Sequence, residues 1–516
     1  MPRYKDYDYN QSKLIPVNFD EQILPGTFEY TLSYLIEHEM DLSVFDDRYR
    51  NDETGRKAYD PAILLKIVLY AYSRGITSSR AIERCCRENV VFMALSADSQ
   101  PHFTTIASFI SSTDGAVASI FRDVLVVCDT QGLIGREMFA IDGVKLPSNA
   151  SKEWSGTRAE FKAKVKKVTR AVRRMLAKHR AEDNETPCDG GGGPRRKREE
   201  QQIETLRLQA AKLREWLKDN EDKPGKGKQP RKSNITDNDS AKMKTSHGVF
   251  QGYNGVATVD AEHQVVVHAQ AFGEGQEHDA LVPMLEGTRE QFEQVQPAPD
   301  ILSQATVVTD SGFHTEANVQ YLYDEGINAY IADNRFRKRD PRFADAARYK
   351  PTKAPAREKR KLYTVADFHF ADDLSHALCP AGKRLYRSGG NCQTDGYTSV
   401  KFKGPQSTCG PCEHRDRCLR HPERTAYRQV SFFKGRSPNA PSSYSAKMKE
   451  RIDSDEGRSL YSRRLGIVEP VFGNIRTTLR LDRFSLRGKA KVNIQWLLYC
   501  LVHNLGKVHR FGYSTA

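Results

Sequence analysis

Met138–Leu146, MFAIDGVKL, is where the chain changes period. The run is short, apolar and β-type, with Asp142 in its middle. A buried strand disfavours an acid, so Asp142 either faces solvent at a strand end or has a function. Downstream, VFQGYNGVATVD and QVVVHAQAFGE read as strands, with Ala261–His263 as the hairpin between them. A helix at about 279–295 precedes ATVVTD, an apolar strand that ends on Asp310. TEANVQYLYDEG reads as a helix closed by Gly326, and NAYIAD as a further strand. Strand, strand, strand, helix, strand, helix, strand describes a mixed sheet with helices packed on it.

Near the C-terminus lies YSRRLGIVEPVFGNIR, Tyr461–Arg476. Tyr461, Leu465, Val468, Phe472, Ile475 and Leu479 step by four and three, the mark of one apolar stripe on a helix. Glu469 is off that stripe, on a face with Ser462, Gly466, Gly473 and Arg476. Two glycines there predict a bulky neighbour, and a carboxylate beside an arginine points to a metal ion and a phosphate. Pro470 predicts a kink or a helix start at Glu469–Pro470. Taken alone the stretch also fits an ordinary amphipathic helix with an exposed acid. It gains meaning if other acids converge on it. With the first and fourth strands adjacent, Asp142 and Asp310 meet, and this helix brings Glu469 to the same point. Three carboxylates can hold two divalent cations about 4 Å apart for phosphodiester chemistry, and magnesium suits such a site.

The remaining segments frame that core. The chain has 516 residues and a formal charge of +14, so it has room for several domains and favours a polyanionic partner. No apolar run reaches the roughly 18 residues of a membrane span, and MPRYKDYDYN has no signal-peptide character. A cytoplasmic protein is expected, whose ten cysteines are not disulfides. Residues 1–130 read as a helical domain. In it Asp60–Pro61 opens a helix that stops at Gly75, and SSRAIERCCREN follows a short turn. Such a pair fits a helix-turn-helix with Arg80, Arg84 and Arg87 toward DNA, and also occurs in bundles that never touch DNA. Residues 131–516 form the catalytic domain, interrupted twice. Two heptad-spaced stripes, Phe161–Met175 and Ile203–Leu217, predict a helical hairpin inserted at 157–232. Residues 335–450 read as irregular, basic and cysteine-bearing. Cys379, Cys409, Cys412 and Cys418 have a spacing that suits a structural zinc, with Cys392 as a possible substitute for Cys379. VNIQWLLYCLVHNL, apolar on every side, is expected to be a buried helix.

In the order and roles of these motifs the chain resembles the DDE transposases of bacterial insertion sequences, which have an RNase H-like catalytic core. AIDGVKLPSNAS, TDNDSAKMK, GYNGVATVD, VVTDSGFHTEANVQYL and YSRRLGIVEPVFGNIR carry the resemblance, with the helical N-terminus through SFISS. It implies an α/β (α+β) fold and Asp142, Asp310 and Glu469 as the metal-binding catalytic triad. It also implies Mg2+ or Mn2+ as cofactor and Tyr461, Arg464 and Arg476 as the basic and tyrosine positions of the DNA-contacting signature. Two departures stand out: four residues rather than three separate Arg464 from Glu469, and arginine replaces the usual lysine at 476. The family often carries such cysteines between its second and third acids. The implied partners are double-stranded DNA, as element ends and target, and a second copy or more in the synaptic complex. The implied location is a nucleoid-associated one. The implied function is cleavage and strand transfer at terminal inverted repeats; the alternatives are a nuclease without strand transfer and a catalytically silent repressor.

Overall fold

The strand that carries Asp142 is central in its sheet. In the computed structural model, β1 (Met138–Pro147), β2 (Ala241–Thr245), β3 (Gly248–Asp260), β4 (Val266–Phe272), β5 (Thr306–Thr309) and β6 (Asn328–Ile331) form one mixed sheet. Its order is β2-β3-β1-β5-β6, with β4 also paired to β3. β1 is antiparallel to β3 and parallel to β5, which is parallel to β6. The first and fourth strands foreseen are therefore neighbours; β2 is an addition to them. Residues 16–48, 57–185, 194–225, 229–245, 248–295, 299–343, 362–394, 397–436 and 443–512 are described. Among them no helix is long and apolar enough to cross a membrane.

Alternation along β1 turns Asp142, Val144 and Leu146 to one face and Ile141, Gly143 and Lys145 to the other. The first face is covered by two helices. One is the signature helix Asp455–Gly473, and the other is the terminal helix Lys489–Lys507. The terminal helix is buried almost throughout from Val492 to Leu505, as its uniform apolarity requires. Its Trp496 donates to the Val256 carbonyl at 3.0 Å and lies against Gly255, opposite Val144. The second face takes the helix Leu281–Val295, whose Thr288 hydroxyl bonds that of Thr258 at 3.0 Å.

The helices Pro61–Ser73, Phe103–Ser111 and Asp114–Thr130 pack onto the same terminal helix. Asp60 caps Pro61–Ser73 through a bond from the Ala62 amide, and Gly75, at φ +71°, ends it as foreseen. Tyr72 stacks on Tyr499 at 4.7 Å. These helices thus share a core with the sheet, within a unit made of Met1–Arg335 and Met448–Ala516. Arg158–Glu185 and Pro194–Asp219 form the inserted hairpin. Phe161, Leu213 and Trp216 are its core; the glycine-rich connector is outside the described residues. Its root is a two-residue ladder, Ser155–Gly156 with Ser233–Asn234.

Phe336–Lys447 is a second compact unit. Here the irregular reading is corrected. β7 (His369–Phe370), β8 (His376–Leu378), β9 (Arg384–Thr394), β10 (Tyr397–Lys403) and β11 (Gln429–Arg436) form an antiparallel sheet. Phe368, Ala377, Leu385, Val400, Phe402 and Val430 fill its core. Register shifts at Gly389 and short strands break the alternation that would have revealed it.

Candidate active site

Ile141 on β1 is level with Thr309 on β5, so the next residues of two parallel neighbours, Asp142 and Asp310, emerge side by side. Asp310 ends its strand and caps the following turn by accepting from the Ser311 amide at 2.7 Å. Asp142 accepts from the Gly143 amide at 2.7 Å. Burial pushes the Asp142 carboxyl up to about 6, against the pull of the Arg464 guanidinium and the Gly143 amide. The charges of Asp310 and Glu277 add to the upward push.

Arg464 comes down from the signature helix between the two aspartates. One terminal nitrogen bonds Asp142 Oδ2, and the other is 3.8 Å from Asp310 Oδ1. Tyr461, one turn earlier, directs its hydroxyl to Asp310 Oδ1 at 3.5 Å. Arg464 is 5% exposed, so the residue expected at DNA is instead the buried counter-ion of the aspartates. The reason is helical phase. Arg464, Val468, Val471 and Ile475 share the face turned to the sheet, and Leu465, expected on the stripe, is 44% exposed.

The same phase turns Glu469 outward, with Ser462, Gly466, Gly473 and Arg476, all exposed. Asp142 and Asp310 are joined through Arg464. A Cβ on Gly466 or Gly473 would meet nothing within 4 Å, so among the described residues no bulky group approaches those two glycines. Pro470 does not start the helix, which runs through it and continues as a wider turn at Asn474–Thr478. Proline has no amide for the Gly466 carbonyl, and the Gln264 side chain takes that place at 3.1 Å.

Sequence reasoning missed Glu277. It is buried, pairs with Lys145 at 2.9 Å, and accepts from Asn254 at 3.4 Å. Nothing in GEGQEHD separates it from an ordinary polar turn. Asp237 and Asp239 accept from the Gly488 and Lys489 amides at the start of the terminal helix. On the helix-turn-helix, Arg80 stacks on Phe103 at 4.6 Å, while Arg84 and Arg87 pair with Glu88 and Glu83 of their own helix.

In the second unit Cys379, Cys409, Cys412 and Cys418 line one small cavity. Burial pushes the Cys418 thiol up; Arg428 opposes this, and the other three cysteines reinforce it. Cys392 does not line that cavity. Among the described residues, no three His, Cys, Asp or Glu side chains are disposed to hold a metal ion.

A family model described as Transposase DDE domain matches residues 378–509, and one described as Transposase domain (DUF772) matches residues 17–112. The two matches indicate an insertion-sequence DDE transposase. No curated protein matches it. The first match includes Glu469 and its signature, and the aspartates lie outside both matched segments. DDE transposases use divalent metals such as Mg2+. The transposase's own residues fit one: Asp142 and Asp310 present hard oxygen donors that already share a cation, the Arg464 guanidinium.

Proposed function

We propose that this transposase binds the terminal inverted repeats of an insertion sequence, cleaves there, and joins the released end to target DNA. The observation that carries the reading is the pair Asp142 and Asp310, side by side on parallel strands and sharing one cationic partner. Asp142, Asp310 and Glu469 would hold Mg2+ or Mn2+, which when bound activates the attacking oxygen and steadies the leaving one. Glu469 is exposed and turns outward from its helix, on the side open to DNA. Arg464 pulls the buried Asp142 carboxyl toward its ionised form against the push of burial, and has to release Asp142 for the site to be loaded.

End DNA is read by residues 1–130, with Arg80, Arg84 and Arg87 exposed on one helix. Tyr461 and Arg476 contact DNA beside the acids, and the active assembly is a dimer or larger. Cys379, Cys409, Cys412 and Cys418 line one cavity and are the residues that would hold a structural zinc.

A combined cleavage and joining assay with end DNA and target tests the reading. Asp142→Asn, Asp310→Asn and Glu469→Gln should each abolish cleavage and keep binding to end DNA. A wild-type protein that cuts without joining would be a nuclease, and one that binds without cutting a repressor.

A further inference from the structure

We propose that the outer face of the sheet in the second unit is a platform for single-stranded DNA, whose bases stack on Tyr386, Tyr397 and Phe433; it rests on the reading above for the origin of that strand. Leu385, Val400, Phe402 and Val430 point into the core of this unit. Strand alternation then turns Tyr397, Ser399, Lys401 and Lys403 of β10 to the opposite face. Register extends that face to both neighbours. Tyr386 of β9 lies opposite Lys403, and Phe433 of β11 opposite Ser399. Tyr386 and Tyr397 are each 46% exposed and Phe433 is 52% exposed, so all three rings stand open to solvent. Tyr397 and Phe433 meet edge to face, with centroids 6.3 Å apart. Between the two ring positions the face is floored by small side chains, Cys392 and Ser399 on one row and Ser431 on the next. Large rings left open on one sheet face mark an interaction surface.

Charge selects the partner. The charged residues of β9, β10 and β11 are Arg384, Arg387, Lys401, Lys403, Lys434 and Arg436, all of them basic. Arg384, Lys401 and Lys403 share the outer face with the rings, by the same alternation. Rings set between cations suit a strand whose bases stack while its phosphates meet the lysines and arginines. A duplex keeps its base faces covered by one another, and would use the cations alone. From Tyr397 to Lys403, β10 spans about 20 Å, a length that suits a site of roughly four nucleotides or more. The rival occupant is a second copy of the chain seated on the same rings.

Fluorescence anisotropy of the full-length protein with a labelled oligothymidine strand separates them, in excess unlabelled duplex to occupy the other DNA surfaces. The double substitution Tyr397→Ala with Phe433→Ala should weaken single-strand binding about tenfold or more and leave affinity for duplex end DNA unchanged. Unchanged single-strand affinity in that variant, or equal losses for single strand and duplex, overturns the platform. So does a changed oligomeric state in light scattering with single-strand affinity kept, since the face would then seat a second copy. Tighter binding of oligouridine than of oligothymidine would assign the face to RNA and overturn it as well. Should the double variant not fold, Tyr386→Ala on the neighbouring strand decides by the same comparison. The joining assay keeps the two readings apart. A wild type that cuts and joins, with single-strand affinity kept in the variants, loses only the platform. One that holds the strand through these rings and never cuts loses only the transposase reading.

Discussion

Arg464 shows how much one side chain can do when its surroundings are fixed on every side. It is buried, bonded to Asp142 and close to Asp310, with its Nε left without a partner. Removing one member of a buried pair costs more than the pair contributes, because the other charge is left alone. Arg464→Met should therefore lower the unfolding free energy in metal-free buffer by about 3–5 kcal/mol. Millimolar Mg2+ or Mn2+ should recover part of the loss by supplying the missing charge. Denaturant titrations with and without metal check this, and a variant as stable as the wild type would mean that the aspartates need no counter-ion. The aspartates themselves were legible in the sequence, since an acid inside or at the end of an apolar β run breaks its pattern. Arg464 was legible as a signature residue but not as their partner. Its direction depends on helical phase, and Leu465 pulled the inferred stripe one position away from the observed one.

At the scale of elements, the signature helix tolerates Pro470 because Gln264 occupies the carbonyl that proline leaves free. A proline inside a helix costs about 3 kcal/mol, and one neutral hydrogen bond returns about 1. Pro470→Ala should raise stability by roughly 1–2 kcal/mol on that balance, read from the urea midpoint. A lower midpoint would show that the Gln264 contact matters more than the helix's own ladder. The terminal helix carries a pH dependence. His503 bonds the Gln264 carbonyl through Nε2 and takes a bond from Asn474 at Nδ1, both at 2.9 Å, so it is neutral. Burial lowers its pKa from the usual 6.5 to about 4, and does the same to His268. A depressed histidine contributes stability above its unfolded value that is lost as protons bind the unfolded chain first. Stability should thus fall as pH drops from 6.5 to about 4, and His503→Gln should flatten that slope in melting curves. The buried character of this helix was plain from the run VNIQWLLYCLVHNL. The sheet of residues 336–447 was not, because its first two strands are short, its longest is interrupted at Gly389–Gly390, and basic residues stud the rest.

For the whole molecule, two insertions can be tested as parts. Lys162, Lys166, Lys167, Arg170, Arg173 and Arg174 lie exposed along one arm of the hairpin, whereas Lys164 stacks on Trp154 at 4.1 Å. The hairpin leaves β1 a few residues after Asp142 and has a core of its own, so its removal should spare the sheet. Replacing Thr157–Lys232 by a Gly/Ser linker is expected to keep Mn2+ binding and lose affinity for end DNA, with a shallower salt dependence. Transposition at the wild-type rate would make the arm dispensable. The cysteine unit should carry about one zinc per chain when purified without chelator, and elemental analysis that finds none would remove that assignment.

Tyr72 stacking on Tyr499 has a consequence for how the protein is made. The two rings stand at nearly opposite ends of the chain, and ribosomes add roughly 5–20 residues per second, so they are born tens of seconds apart. Until the last helix has left the exit tunnel, the amino-terminal helices have only one another to pack against. A nascent or truncated chain thus keeps the Tyr72 face of these helices uncovered until Lys489–Lys507 has been made.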